Sequence, residues 1–448
     1  MDALFFWLRQ SCHEAQPDKL NGMTSCLLAA LILQPNVAAL SAPRTDAWWQ
    51  ERHKVHLERS KGPLDVAFLG DSITQGWEGA GKDVWAREFS SLKVGNFGIG
   101  GDQTRHVLWR LQNGELLPTQ PKVAVIMIGT NNTAAREYTP ENTAESVKNI
   151  VTTIRQGSPK TKILLLDVFP RALNKNDGAR VYVDKINSTL RSMKWDKNVQ
   201  MLNIGRHFMN EAGVLDKELM PDLLHLSPAG YDIWGRAVRE KIHEMLGRKK
   251  ENLKGGKWVD LFDGKTLKGW SIVAGKATYR VEDGTIIGTT SVGGPDTFLR
   301  TDKEYTDFEM TFDARCHVKL NSGIQFRSRM DPGITGPQVE IMLTPGHSGH
   351  FWGAGMNTGW LSKEPSNPVP ALNTNRVFRN EEWNSFRVVV KGAHFRTWIN
   401  GLPVGDVIRE DTVLTHPKGF IGLQVHGIPA GEGPYEAAWR NIKLRELK

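Results

Sequence analysis

The feature that most limits the fold is a change of hydrophobic period at Gly247-Arg-Lys-Lys-Glu-Asn-Leu-Lys-Gly-Gly256. This stretch is polar, charged and glycine-terminated, with no apolar period, and reads as a linker between domains. Before it, short apolar runs at 64–69, 92–97, 123–128, 162–168 and 199–204 predict strands. Helical patterns fill the gaps at 104–111, 141–155, 180–193 and 228–246. Such alternation calls for a parallel sheet covered by helices on both faces, a three-layer α/β domain. After the linker, runs rich in Val, Ile, Phe and Trp recur between turns such as Asp283-Gly284, Asn321-Ser-Gly323 and Asn400-Gly401, without convincing helices. That pattern predicts an all-β sandwich.

The expected plan is therefore a leader over 1–42, an α/β domain over 43–246, a linker over 247–256 and a β domain over 257–448. A chain of 448 residues has room for two or three cores. The net charge of +8 is scattered among acids and forms no basic stripe, so no nucleic-acid partner is expected. No internal run is long enough to span a membrane. In the leader, the apolar core Cys26-Leu-Leu-Ala-Ala-Leu-Ile-Leu33 precedes the small residues Val37-Ala-Ala39 and Ser41-Ala42, as in a secretory signal with its cleavage site. Met1 to Met23 is long and mixed for a charged n-region, so Met1 and Met23 both stand as start sites; a disordered leader is the alternative. A secreted or periplasmic location is expected over a cytoplasmic one. Cys12 and Cys26 lie in the leader, and Cys316 alone would remain after cleavage, leaving no internal disulfide.

Chemistry concentrates at strand ends in the first domain. The run Leu64-Asp-Val-Ala-Phe-Leu-Gly-Asp-Ser-Ile-Thr74 ends a strand in Gly70-Asp-Ser72, placing a serine where open α/β sheets hold their ligands. Taken alone, Gly-Asp-Ser is as well explained by a turn and a helix cap. Asn96-Phe-Gly-Ile-Gly-Gly-Asp102 follows the next strand with glycines that let backbone N–H groups approach a ligand. Gly129-Thr-Asn-Asn132 offers amide donors, and Asp222-Leu-Leu-His225 sets a carboxylate and an imidazole three residues apart. Together they supply a nucleophile, a base, an orienting carboxylate and oxyanion donors, which is what acyl transfer requires.

These blocks resemble the four sequence blocks of the SGNH (GDSL-type) hydrolase superfamily, in order. The run from Asn96 to Glu115 is similar to the catalytic subunits of the platelet-activating factor acetylhydrolase family. The resemblance covers roughly residues 45 to 246 and implies a flavodoxin-like fold with five parallel strands. It further implies Ser72 as nucleophile, His225 as base and Asp222 as its partner. The oxyanion would be held by the backbone N–H groups of Ser72 and Gly101 and by the Asn131 side chain. No metal and no cofactor are implied, and short acyl groups, acetyl above all, are the expected leaving acid.

In the second domain, the motifs from Trp258 to Trp270, Asp307-Phe-Glu309, Asn321 to Arg327, Glu382-Trp-Asn384, Gly422-Leu-Gln-Val-His-Gly427 and Trp439-Arg-Asn-Ile442 resemble the 3-keto-disaccharide hydrolase family. The implied fold is a concanavalin-like jelly roll. Trp270, Trp383 and Trp439 read as core, while Trp352 and Trp360, in a glycine-rich stretch, are candidates to stack on a sugar or to pack a loop. Glu340 is either a catalytic or sugar-binding carboxylate or a plain exposed strand residue; glycoside cleavage needs a second carboxylate that no pattern picks out. His347 and His350 lack the further ligands a metal would need. The leading reading is a secreted esterase acting on acylated carbohydrate or another small ester, with a carbohydrate-directed β domain. A bifunctional enzyme whose second domain cleaves 3-keto-glycosides is the alternative. A glycan-binding protein with a degenerate hydrolase domain is a third, against which the intact blocks weigh.

Overall fold

The computed structural model describes residues 40–134, 138–248, 253–331, 333–342, 344, 346–363 and 376–448. The leader up to residue 39, with Cys12 and Cys26, and the middle of the linker at 249–252 lie outside the described residues. The first half runs α1 (Ala47–Arg59), β1 (Val66–Gly70), the short α2 (Ser72–Gln75), α3 (Lys82–Phe89), β2 (Val94–Gly98) and α4 (Thr104–Gln112). It continues with β3 (Val123–Met127), α5 (Pro140–Gly157), β4 (Lys162–Leu166), α6 (Gly178–Ser192), β5 (Val199–Leu202) and α7 (Pro228–Met245). The strands form one five-stranded sheet in the order β2-β1-β3-β4-β5, with every pair parallel. All residues of β1 and β3 are buried, because helices cover both faces of the sheet and leave no polar side to alternate. From β1 the chain passes to β2 on one side and then to β3 on the other. The loops after β1, β2 and β3 therefore crowd one crevice at the carboxyl ends of the strands.

The nine elements expected from periodicity all form, with ends shifted by one or two residues. The start signal at Ser227-Pro228 does what its chemistry requires: Ser227 Oγ accepts from the N–H of Gly230 at 3.2 Å and Pro228 occupies the first turn. Two further helices, α1 and α3, are not legible in the sequence. The buried side of α1 consists of Trp49, His53 and His56, two of them polar, so no apolar period marks it.

The second half contains two antiparallel sheets, one of seven and one of eight strands among the described residues, whose facing apolar side chains make the sandwich core. Phe312, Phe326, Val339, Val390, Leu423 and Trp439 are all buried there. One short helix, Glu410–Thr415, interrupts the β pattern. The end of the linker already belongs to this fold, since the N–H of Gly256 donates to Glu446 O at 2.8 Å and Gly255 bridges to Leu447. The two halves also touch. Arg236 of α7 is buried, chelates Asp232 at 3.0 and 2.8 Å, and donates to the carbonyls of Pro403 and Val404 at 3.0 and 3.2 Å. Nearby, Trp398 Nε1 donates to Glu240 at 2.8 Å.

Candidate active site

Ser72 opens α2 immediately after β1. The turn is tight enough to require glycine before it: a side chain at Gly70 would lie 2.1 Å from Thr74 Oγ1 and 2.4 Å from Met127 O. Asp71 is fully buried and caps α2, accepting from the N–H of Ile73 at 3.0 Å. Burial pushes the Asp71 carboxyl up to about 7, with the charge of Asp102 adding to it and the Ile73 N–H opposing.

Ser72 Oγ lies 2.9 Å from His225 Nε2, and His225 Nδ1 lies 2.6 Å from Asp222 Oδ2. The second oxygen of Asp222 accepts from the backbone N–H groups of Leu224 and His225 at 3.0 and 2.7 Å. Burial alone would raise Asp222; the hydrogen bonds from the imidazole and these two N–H groups outweigh it and hold the carboxyl below its ordinary value. The turn between the pair is strained, since Leu223 has a φ of 63°, a left-handed value unusual for leucine. That conformation folds Asp222 and His225 onto one side. The His225 and Asp222 side chains remain 44% and 57% exposed, so this end of the site is open to bulky substrates.

Gly101 has a φ of +78°, and a side chain there would come within 2.9 Å of Arg44 Nη1. Asn131 Nδ2 donates to the carbonyl of Asp102 at 3.0 Å. An amide carries two N–H donors, so this bond fixes the side chain while leaving one available. Gln75 Oε1 accepts from the N–H of Gly100 at 2.8 Å, tying the helix that begins at Ser72 to the glycine loop. The loops after β1, β2 and β3 thus bring Ser72, Gly101 and Asn131 together, and the segment before α7 adds Asp222 and His225. At the mouth stands Trp48, 51% exposed. Its ring edge and Ser72 Cβ each lie 3.7 Å from the position a side chain would take at Gly100.

In the β domain, Glu340 is not an exposed strand residue. It is 4% exposed on the strand Gly336–Ile341 and accepts from Gln338 Nε2 at 2.7 Å. The same amide donates to Gln424 Oε1 at 3.0 Å, and Gln424 Nε2 donates to Asp296 Oδ2 at 2.8 Å. Burial pushes Glu340 up to about 7, against the hydrogen bonds from Gln338 and Asn321, with Asp296 adding charge repulsion. The register sets Trp352 opposite Gln338 and Trp360 opposite Trp352, on the sheet face that carries Glu340. The two indoles meet edge to face at 5.2 Å, and His347 packs on Trp360 at 4.9 Å. His350 is buried. Trp270 and Trp439 are buried as expected, but Trp383 is only half-buried, with Arg440 and Arg315 over its ring at 4.0 and 5.1 Å. Cation–π contact, rather than core packing, holds it.

A model of the GDSL-like lipase/acylhydrolase family matches residues 68–233. Subunit alpha2 of platelet-activating factor acetylhydrolase IB from Rattus norvegicus is 38% identical over 202 residues, 45% of this chain and 86% of that relative. The chain belongs to the GDSL-like lipase/acylhydrolase family. Its enzyme class is carboxylic ester hydrolase. In this GDSL acylhydrolase the second half matches the 3-keto-alpha-glucoside-1,2-lyase-like domain over residues 257–445. Among solved structures, a GDSL-like lipase from Bacteroides thetaiotaomicron aligns at 20% identity and a TM-score of 0.38, covering 43% of this chain and 97% of the other. A carbohydrate binding module from Bacillus subtilis aligns at 18% identity and a TM-score of 0.28, covering 39% and 94%.

Several residues that the fold of this GDSL acylhydrolase brings to the sites carry little or no sign in the sequence. Asp71 reads only as part of a turn, and Trp48 only as part of an unassigned stretch. In the β domain, Gln424 stands in the alternating run Gly422-Leu-Gln-Val-His-Gly427, a period-2 signal that could have found it. Asp296 precedes a strand and carries no signal.

Proposed function

We propose that this protein is an exported serine esterase that removes short acyl groups, acetyl above all, from carbohydrate or other small esters. The observation that carries the reading is the continuous line Ser72–His225–Asp222 beside Gly101 and Asn131. In the first half-reaction His225 Nε2 takes the proton of Ser72 Oγ as the oxygen attacks the ester carbonyl. The tetrahedral oxyanion sits against the N–H groups of Ser72 and Gly101 and the free N–H of Asn131. His225 then gives the proton to the departing alcohol, leaving an acyl-enzyme. Water, deprotonated by the same imidazole, releases the carboxylic acid and restores Ser72. Asp222 keeps Nδ1 protonated and balances the imidazolium. No cofactor takes part.

Acetyl specificity is supported by the name of the relatives, acetylhydrolase. A sugar-borne alcohol is supported by the β domain and by Trp48, an exposed indole at the mouth of a site that is otherwise open. Export is supported by the apolar leader. The test is an ester panel on the mature protein, comparing acetylated sugars, aryl acetates and phospholipid-like esters, with Ser72→Ala alongside. That substitution is expected to lower kcat on the order of 10⁶-fold; undiminished turnover would remove Ser72 from the mechanism.

A second reading has its own observation. The hydrogen-bonded line Glu340–Gln338–Gln424–Asp296 supplies two carboxyl groups on one face, one of them buried and shifted upward. It favours a β domain that cleaves 3-keto-glycosides itself. Cleavage of a 3-keto-disaccharide that is lost in Glu340→Gln and kept in Ser72→Ala would establish it.

A further inference from the structure

One charged residue has no place in the chemistry above, yet it touches the ends of β1 and β2 and reaches the Asn131 amide through Asp102. Arg110, on α4, has no exposed surface. Its Nε lies 2.9 Å from Asp102 Oδ2. Nη2 donates to Gly70 O at 3.2 Å, two residues before the nucleophile. Nη1 donates to Phe97 O at 3.2 Å, at the end of β2, and pairs with Glu115. Glu115 is itself buried and faces His53 Nδ1 and His56 Nδ1 at 3.1 and 3.2 Å. On the other side, Asp102 Oδ1 accepts from Trp49 Nε1 at 2.7 Å, and the carbonyl of Asp102 is the acceptor that holds Asn131.

We infer that Arg110 is the positioning residue of the oxyanion site. Its planar guanidinium fixes the β1 turn, the β2 loop and, through Asp102, the Asn131 amide in one geometry. Rigid fork geometry is what arginine provides and lysine does not. Oxyanion donors are effective only if they are preorganised at the place where charge develops, and a shift of about 1 Å costs on the order of 10²-fold in rate. The alternative, a buried ion pair kept only for folding, explains the pairing with Glu115. It gives no reason for contacts to the ends of both β1 and β2.

The inference rests on the esterase reading, so the test separates the two. In the full chain, Arg110→Lys is compared with Asn131→Ala and with the double variant on a soluble aryl acetate. Arg110→Lys is expected to lower kcat about 10²-fold with KM changed less than about threefold. The double variant should be little slower than the worse single one, because both act through the same donors; independent effects would multiply. A folded Arg110→Lys with kcat near that of the parent, or multiplying effects, overturns the inference while Ser72→Ala remains inactive. An active Ser72→Ala would instead overturn the esterase reading. If Arg110→Lys does not fold, Trp49→Phe decides: it removes the donor to Asp102 while keeping an aromatic ring beside His53 and Trp109, and is expected to lower kcat up to about tenfold with KM held. A Trp49→Phe enzyme with unchanged kcat, in that case, refutes the role.

Discussion

Replacing the buried acid beside Ser72 should make the protein more stable, and increasingly so as pH rises. Asp71 is fully buried, and burial lifts its carboxyl from 3.8 to about 7. Between those two values the folded protein holds a proton that the unfolded chain has released. Folding stability from this group is therefore present at low pH and is lost as pH rises through about 7. Across that interval each pH unit removes about 1.4 kcal/mol, so the full loss is about 4.4 kcal/mol. Roughly 1.7 kcal/mol of it has gone by about pH 5, leaving about 3 kcal/mol to disappear between about pH 5 and about pH 8.5. Asp71→Asn keeps the oxygen that accepts from Ile73 and carries no charge to desolvate. The assay is denaturant unfolding of both proteins at steps across that range, read as the stability of Asp71→Asn minus that of the parent. The difference should grow toward alkaline pH by about 3 kcal/mol. Asp102, pushed up to about 6 by burial, is present in both proteins and drops out of the difference to first order. A difference that is flat, or that shrinks as pH rises, refutes the assignment of a protonated Asp71.

Other perturbations follow from the same geometry. Asn131→Ala should lower kcat about 10²–10³-fold with little change in KM; a normal kcat with weakened binding would make Asn131 a substrate contact. Trp48→Ala should raise KM about two- to tenfold for acetylated sugars, the worth of one aromatic contact, and leave aryl acetate turnover unchanged. Equal effects on both substrates would count against sugar stacking. Arg236→Ala leaves Asp232 with Arg87 as its remaining salt-bridge partner and strips the Pro403 and Val404 carbonyls of their donor. It should cost about 1–3 kcal/mol, and unfolding followed separately in the two halves should no longer coincide; an unchanged single transition would show the interface to be weak.

The α/β half is legible because burial on both faces forces its strands to be continuous apolar runs, which stand out in sequence. Its candidate site residues are legible because Ser72, Gly101, Asn131 and the Asp222–His225 pair each follow a strand or precede a helix with a recognisable turn. What escapes is chemistry that sequence spacing does not encode. Trp49 and Asp102 are 53 positions apart and meet at 2.7 Å, and nothing local in either announces the other. The burial of Glu340 escapes for a related reason. An alternating strand marks two faces, but whether the polar face is solvated depends on what covers it. Trp383 is misplaced by sequence because an aromatic in a β domain fits the core equally well by composition. Only the arginines on neighbouring strands place it outside.

A polar linker implies two independent beads, and the contacts around α7 argue for a tighter union. Two kinds of contact cross between the halves, and their magnitudes differ. Glu218, in the segment that leads to Asp222, pairs with Arg376 at 2.8 Å, but the Glu218 side chain is 68% exposed. Such a pair contributes about 0–1 kcal/mol and cannot by itself hold the halves together. Arg236 is different in kind. It is buried, its charge is already matched by Asp232, and its Nη1 is turned onto two carbonyls of the strand Leu402–Ile408. Removing the β domain would expose this pair and the apolar side chains around it, and would take away those acceptors. The helix concerned starts three residues after His225, with Ser227 as its cap. The element that docks the β domain is thus the one that anchors the segment carrying His225. An isolated α/β half would lose contacts on that helix even though Ser72, Asp222 and His225 all lie within its own sequence.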